Sequence, residues 1–218
     1  MKKLMVLLVA VAVALSAVYA VKLEDVLNKD MMTKGYSAKL TMTTDGNLLM
    51  SGMVYQKDEK SRSEIKMGNM PGMEIMAQFG LDEMITIIKD KKLYTLYPKK
   101  KKYTETDMGG TDPTMMNNAN EDPSKFDYDQ NVEKVGTEKI GSITADKYKM
   151  IPSKDEKLDG EMFFFIDPAT KMIIGVHVIG NDGTVMKVEY TNITIGVNES
   201  VFSIPAGYTK TTQEGLMQ

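Results

Sequence analysis

Short segments in which apolar and polar residues alternate run through most of this chain, and they constrain its fold more than any other feature. Between residues 36 and 43, apolar side chains occupy every second position, and Ser, Lys or Thr occupies the positions between them. This period of two is typical of a β-strand with one buried face. The turn sequence Asp45-Gly46 separates this segment from a second one at residues 48–56, so the pair predicts a β-hairpin.

Further strand-like segments follow at short intervals, separated by turns rich in Lys, Pro, Asn, Asp or Gly. They lie at residues 61–67, 84–89, 93–97, 101–106, 131–140, 146–151, 161–166, 172–179 and 185–195. Such short connections join antiparallel neighbours. A sheet of about ten strands must curl or close, because larger open twisted sheets are rare. The sequence therefore predicts a mainly β fold of the α+β class, with about ten antiparallel strands.

Two segments have the spacing of helices instead. In residues 21–34, apolar side chains recur every three or four positions, and Gly35 follows as a natural helix end. This pattern predicts an N-terminal amphipathic helix. Residues 67–82 contain several Gly and a Pro around the apolar run 73–79, which predicts a loop followed by a short helix. We expect this short helix to act as a lid over a cavity.

The N-terminal segment 1–20 has the features of a secretory signal peptide. Lys2 and Lys3 form a basic start, residues 4–21 carry no charge, and small residues precede an expected cleavage after Ala20. The alternative is a transmembrane anchor, but the apolar stretch is borderline in length for crossing a bilayer. No cysteine is present to carry a thioether-linked lipid. We therefore expect an exported, periplasmic protein that is soluble after cleavage.

The remainder, residues 21–218, has a size that all-β domains commonly reach undivided, so we expect a single domain. Within it, residues 105–131 are polar and acidic, which predicts a flexible surface insertion. Cleavage of the signal would remove two of the 27 basic residues and none of the 30 acidic ones. The resulting negative charge argues against nucleic-acid binding, which depends on cationic side chains.

Candidate catalytic groups are scarce. The chain has no cysteine and a single histidine, His177, which lies in an apolar strand segment without a neighbouring hydroxyl or acid. A nucleophile with a histidine base is therefore poorly supported. No glycine-rich phosphate loop and no HExxH zinc motif occurs either. We expect a protein that is not an enzyme and that needs no metal and no cofactor.

Methionine is unusually frequent, with 20 in the chain. Met67, Met70, Met73 and Met76 recur at intervals of three, and soft thioether ligands favour Cu(I), so a copper site is one interpretation. Methionines also recur inside the strand segments, where they are adaptable apolar filler. We favour filler, because the thioether is a weak ligand when no histidine is near.

Lysines cluster at residues 91–92 and 99–102, on both sides of the strand segment 93–97. We interpret them as solubilising charge that protects a sheet edge from pairing with other chains. The alternative is a surface that faces a membrane or a membrane-associated partner.

Several short motifs are similar to those of a known family. They are Tyr55-Gln56-Lys57, Lys60-Ser61-Arg62-Ser63-Glu64, the segment 88–98 (IKDKKLYTLYP) and the segment 201–208 (VFSIPAGY). With these motifs in this order, the chain resembles the bacterial outer-membrane lipoprotein-sorting proteins, the LolA-like group. Residues 136–141 and 146–149, with Thr191-Asn192-Ile193, are similar to a branch of that superfamily without an assigned function.

The resemblance implies an unclosed antiparallel β-barrel whose apolar concave face, lidded by helices, holds acyl chains during transit through the periplasm. It also implies that Arg62 lies near the mouth of the cavity and helps to govern lid closure. We expect apolar contacts to the ligand from the following side chains: Met53, Ile65, Met73, Ile75, Met76, Phe79, Phe163 and Phe165.

The predicted function is thus that of a monomeric periplasmic carrier of lipid or acylated lipoprotein. Flexible, polarizable methionines suit a pocket that accepts varied lipid tails. Two alternatives stay open. One is a periplasmic sensor or interaction domain on the same fold, and the other is Cu(I) binding through the methionine run at residues 67–76.

Overall fold

The computed structural model of the chain describes residues 33–68, 73–108, 132–150 and 160–216. One sheet contains all twelve strands of these residues. The strands are β1 (Tyr36–Thr44), β2 (Asn47–Lys57), β3 (Lys60–Met67), β4 (Glu83–Lys89), β5 (Lys92–Tyr97), β6 (Lys102–Asp107), β7 (Val132–Ile140), β8 (Ile143–Met150), β9 (Gly160–Ile166), β10 (Ile173–Gly180), β11 (Val185–Ile195) and β12 (Thr209–Lys210). The described helices are the α-helix α1 (Met73–Gln78) and two 3-10 helices, Glu199–Phe202 and Glu214–Leu216.

The order of the strands across the sheet is β12-β6-β5-β4-β3-β2-β1-β11-β10-β9-β8-β7. Neighbours are antiparallel except for the short β12, which runs parallel to β6. β1 pairs with β11, with Tyr36 opposite Ile195 and Thr44 opposite Met186. This pairing joins the consecutive strands β1–β6 to the consecutive strands β7–β11 in one sheet. The sheet is open, with β12 and β7 at its edges, and it is not a closed barrel.

The sheet curls at its β7 end. The turn between β7 and β8 approaches β11 so closely that a Cβ atom added at Gly141 would lie 3.0 Å from the Cγ2 atom of Thr191. Ile193 of β11 packs against the buried cluster that contains Ile140 of β7. This end therefore has the curvature that a long twisted sheet is expected to develop.

The strand segments expected from the sequence correspond to β1–β11, with shifts of a few residues at their ends, and the mainly β fold is confirmed. β8 starts at Ile143 rather than at 146, because Gly141, with a φ of 57°, turns the chain directly out of β7. β12 was not expected, since two residues are too few to show a period. It is held by backbone hydrogen bonds, in which Thr209 N donates to Lys101 O at 2.9 Å and Thr211 N to Tyr103 O at 2.8 Å.

The expected helices have different outcomes. α1 lies within the segment where a short helix was expected, and its action as a lid stays a prediction. The helix expected over residues 21–34 lies outside the described residues apart from 33 and 34, and it is not supported. The signal at 1–20 and most of the insertion expected at 105–131 also lie outside them. In the described ranges, no helix is long and apolar enough to cross a membrane.

The register of the sheet divides its side chains between two faces, because directly opposed residues of neighbouring strands point to the same side. One face carries no Asp, Glu, Lys, Arg or His over β1–β5 and β9–β11, and we call it the uncharged face. Its side chains include Ala38, Leu40, Met42, Val54, Ser63, Ile65, Met84, Thr86, Ile88, Leu93, Thr95, Tyr97, Phe164, Val176, Val188 and Tyr190. We call the other side the charged face, and it carries Lys39, Arg62, Glu64, His177 and Glu189.

Buried apolar clusters lie on both faces. The cluster on the uncharged face includes Leu40, Met42 and Val188. A second cluster, around Phe165, lies on the charged face of β7–β10. A third joins the charged face of β4 and β5 to Phe202 in residues 197–208, which we call the C-terminal segment. The chain thus covers the charged face of these strands with its own C-terminal segment.

Candidate functional site

The candidate functional site is the uncharged face. Alternation along each strand places every second side chain on it, and the register aligns these side chains across the sheet. At its centre, Leu40 and Met42 are buried. Toward β5, the side chains of Ile88, Leu93 and Tyr97 are half-buried. The face therefore changes from a packed core at β1 to a partly accessible apolar surface at β5.

Tyrosines on the uncharged face indicate a weakly solvated environment. Burial raises the pKa of Tyr36 to about 12. Burial, with a smaller effect of the neighbouring Tyr36, also raises the pKa of Tyr190 well above its usual value. The pKa of Tyr97 is raised by burial as well. Because surroundings of low polarity disfavour a charged phenolate, this face is suited to apolar groups and unsuited to ions.

Arg62 lies on the charged face, on the side of the sheet opposite to Ile65. Its Nη1 atom donates hydrogen bonds to the carbonyl oxygens of Val201 at 2.9 Å and Ser203 at 3.4 Å. Its Nε atom donates to Oε1 of Glu64 at 2.7 Å, and the side chain is 9% exposed. Arg62 therefore fastens the C-terminal segment to β3. Its role at the mouth of a cavity stays a prediction.

Three other predicted contact residues also lie on the charged face. Met53 is half-buried and lies opposite Glu64. Phe163 and Phe165 are buried in the second cluster, and the ring centroid of Phe165 lies 4.2 Å from that of His177. These two rings belong to the core of the charged face and not to the surface that carries Ile65.

The predicted lid residues lie in or next to α1. Ile75 is 60% exposed, and Phe79, just after the helix, is 41% exposed. Met76 is half-buried, and the side chain of Met73 lies outside the description. Ile65 is thus the member of the predicted set that lies on the uncharged face. The structure divides the other members between the charged face and the region of α1.

His177 is buried on the charged face between two carboxylates. Its Nε2 atom shares a hydrogen bond with Oε1 of Glu189 at 3.0 Å, and its Nδ1 atom lies 4.0 Å from Oε1 of Glu138. Glu138 also accepts a hydrogen bond from Nζ of Lys147 at 2.8 Å. Desolvation lowers the pKa of His177 against the opposing effect of Glu189. Both acids come from other strands, so the sequence segment around His177 does not contain them.

The described residues contain no group of three or more His, Asp or Glu that could hold a metal ion. Of the methionine run, Met67 ends β3 and Met76 lies in α1, whereas Met70 and the side chain of Met73 fall outside the description. The Cu(I) interpretation stays a prediction.

The uncharged face contains residues that sequence reasoning did not select, among them Thr86, Ile88 and Leu93. Each lies in a segment that was expected to be a strand. Alternation shows which residues of one strand share a face, but it does not show which face continues into the next strand. That information is in the register, which places Thr86 opposite Ser63 and Leu93 opposite Ile88.

No protein-family model matches the sequence, and no curated protein matches it. Solved structures match its fold. An uncharacterized conserved protein from Thermus thermophilus has a TM-score of 0.53 at 12% identity, with 84% of this chain and 93% of that chain covered. MucB, also solved in complex with MucA(peri), has a TM-score of 0.50 at 12% identity, with 84% of this chain covered. The match covers 62% of MucB, so this chain spans about three fifths of its length.

The similar structures also include a LolA superfamily protein from Nitrosomonas europaea, with a TM-score of 0.33 at 9% identity and with 83% of this chain and 94% of that chain covered. A LolA-like protein, which the motifs of the sequence resemble, is thus among the solved structures to which this chain is similar. Identities of this size show the fold alone. The case for a function therefore rests on the geometry of the uncharged face.

Proposed function

We propose that this protein is an exported carrier without enzymatic activity, which holds the acyl chains of a lipid or lipoprotein against its uncharged face. The observation that supports the proposal is the absence of Asp, Glu, Lys, Arg and His from this face over β1–β5 and β9–β11, strands that all lie within the described residues. In this proposal the uncharged face of the open sheet is the ligand-binding surface, and α1 is part of its lid.

The energetics of acyl transfer call for such a surface. Moving an acyl chain from a membrane into water costs roughly 0.8 kcal/mol per methylene, so a dozen methylenes cost on the order of 10 kcal/mol. A carrier must offset this with apolar contacts of its own. Ile65, Ile88 and Leu93 offer half-buried apolar side chains for that purpose, and the raised pKa of Tyr97 indicates reduced hydration on the same face.

The C-terminal segment packs on the charged face, and this position supports binding of the ligand to the uncharged face. Phe202 is 2% exposed and packs with Ile87 and Leu96 on the charged face, where Tyr55 and Val201 join them. The strands β4 and β5 therefore have a packed core on their charged side. Their uncharged side is left to bind a ligand.

The role that follows is transport of a lipid or acylated lipoprotein by a periplasmic monomer. A sensor or interaction domain would use the same face to detect a ligand and pass the signal to a partner protein. The two roles differ in what accompanies the purified protein, which makes them separable by experiment.

The test is native mass spectrometry with lipid extraction, applied to the protein purified without detergent. We expect acyl lipid to co-purify. Leu93→Lys on the uncharged face should lower the bound lipid by about tenfold or more, because it places an ammonium group among apolar side chains. Met53→Lys on the charged face is the matched control and should leave the lipid unchanged. An apoprotein that also takes up no fluorescent fatty acid would overturn the proposal, and a stoichiometric protein partner without lipid would favour the interaction domain.

A further inference from the structure

A row of hydroxyl side chains crosses four neighbouring strands, on the uncharged face of β3–β5 and on the same side of β6. Ser63 of β3 lies opposite Thr86 of β4, Thr86 opposite Thr95 of β5, and Thr95 opposite Thr104 of β6. Because neighbouring strands are about 4.8 Å apart, the row is about 14 Å long. We call these four residues the hydroxyl row.

Apolar side chains flank the hydroxyl row on both sides. On one side, Ile65 lies opposite Met84. On the other side, Ile88 lies opposite Leu93. Side chains on one face of a strand repeat every two residues, so each apolar pair lies about 7 Å from the row. The row therefore divides the apolar surface into two tracks, one over β3 and β4 and the other over β4 and β5.

The hydroxyls of the row are available to a ligand. In the part of the chain that the structure describes, none of the four has a hydrogen-bond partner in the protein. All four residues are half-buried. A ligand made of hydrocarbon alone would cover these hydroxyls and leave them without partners, which is unfavourable. The row therefore favours a ligand with oxygen atoms at this place.

The composition of the row favours neutral oxygens over an anionic group. Lys102 extends from β6 at the edge of the same surface, and its Nζ atom donates a hydrogen bond to the carbonyl oxygen of Gly215 at 2.6 Å. The row itself contains hydroxyls and no cation. Hydroxyl groups donate to neutral carbonyl oxygens, whereas burial of an anion without a cationic partner is costly. An ester therefore fits the row better than a carboxylate or a phosphate.

We propose that the hydroxyl row binds the ester carbonyl oxygens of a lipid whose two acyl chains lie along the two apolar tracks. The inference rests on the proposed function and narrows its ligand to a diacyl ester, in preference to a plain hydrocarbon or an ether lipid.

Threonine is also common in strands because of its shape, and cross-strand threonine pairs stabilise sheets. Valine has nearly the same shape and an equal preference for strands, but it has no hydroxyl. Replacement of threonine by valine therefore separates a binding role of the row from a role in the fold.

The experiment compares the affinities of the purified protein for dioctanoylglycerol and for its ether analogue, di-O-octylglycerol, by displacement of a fluorescent fatty acid. We expect the protein to prefer the ester by about tenfold, the effect of one or two additional hydrogen bonds. The Thr86→Val/Thr95→Val variant should lose this preference and keep its affinity for the ether. The Thr86→Ser/Thr95→Ser variant should retain the preference, and so should Thr41→Val on the charged face.

Each outcome is decisive. Equal affinity of the unmodified protein for ester and ether overturns the role of the hydroxyl row and leaves the carrier proposal intact. A preference that survives in the valine variant also overturns it. Failure of both lipids to bind the unmodified protein overturns the carrier proposal together with this inference.

Discussion

The two faces of the sheet differ in how their side chains are covered, even along a single strand. On β4, Ile87 is fully buried against the C-terminal segment, whereas its neighbour Ile88 points to the uncharged face and is half-buried. On β3, Arg62 is fastened to carbonyl oxygens of the C-terminal segment, whereas Ile65 lies on the other side. One face thus carries much of the stability of these strands. The other face of β3 and β4 is then free to bind a ligand without being needed to hold these two strands in place.

The largest expected effect concerns Phe202, which anchors the C-terminal segment to the charged face and is 2% exposed. Phe202→Ala should lower the free energy of unfolding by about 3–5 kcal/mol, because it removes a buried ring and leaves a cavity. Chemical denaturation measures this effect. Leu93→Ala on the uncharged face is the comparison, and it should cost much less, because Leu93 is only half-buried. Equal losses of unfolding free energy in the two variants would contradict the claim that the charged face stabilises these strands more than the uncharged face does.

A smaller effect is expected at Arg62. Arg62→Leu should destabilise the protein by about 2–3 kcal/mol, because carbonyl oxygens of Val201 and Ser203 lose a charged donor. Hydrogen exchange should become faster in residues 197–208 and stay unchanged in β1. Arg62→Lys should rescue the protein only in part, since an ammonium group cannot reproduce the fork of the guanidinium. A variant with normal stability but altered release of lipid would instead support a role for Arg62 in lid closure.

The pH dependence of stability tests the buried histidine of the charged face. The pKa of His177 is lowered from 6.5, so the fold favours the neutral imidazole. This contribution to stability is complete above the unfolded pKa of about 6.5 and is lost as the pH falls through it toward the folded pKa. The charged groups that act on the ring are Glu189 and Lys187 of β11 and Glu138 of β7, and Lys147 of β8 donates a hydrogen bond to Glu138.

Thermal unfolding between about pH 7 and pH 5 measures this effect while most carboxylates stay ionised. Stability should fall more steeply in the unmodified protein than in His177→Gln. A steeper fall in the variant would mean that attraction by Glu189 and Glu138 outweighs desolvation, with the pKa of His177 raised and not lowered.

The smallest effect is expected at Lys60, whose Nζ atom donates to Oε2 of Glu199 at 2.7 Å on the surface of the charged face. Glu199 is 52% exposed, and ion pairs in water contribute little. Lys60→Ala should therefore leave the midpoint of urea denaturation within experimental error. A clear loss of stability would show that this pair, and not Phe202, fixes the C-terminal segment.

Much of the fold could be predicted from the sequence, because local alternation determines it. Many strands from β1 to β11 have their own period of two, β9 and β10 are short apolar runs, and Asp45-Gly46 marks the first hairpin directly. Pairing between β1 and β11 could not be predicted in the same way, since no local pattern connects Tyr36 to Ile195. The strand β12 was missed because its pairing is parallel and two residues long.

The candidate site was harder to predict, because it depends on which faces of different strands meet. Apolar character selected Phe163 and Phe165 together with Ile65, but the register puts the two aromatic rings on the opposite face. The same limit hid the carboxylate partners of His177. Glu138 is 39 positions away in the chain and Glu189 is 12 away, so their proximity arises only when the sheet forms.

The most direct test of the central claim is photo-crosslinking of a fatty acid that carries a diazirine on its acyl chain to the purified protein, followed by peptide mass spectrometry. If the uncharged face binds acyl chains, the label should attach to Ile65, Ile88 and Leu93, and an excess of unlabelled lipid should suppress the labelling. Labelling centred on Met53 and Tyr55 of the charged face, or labelling that lipid does not suppress, would contradict the claim.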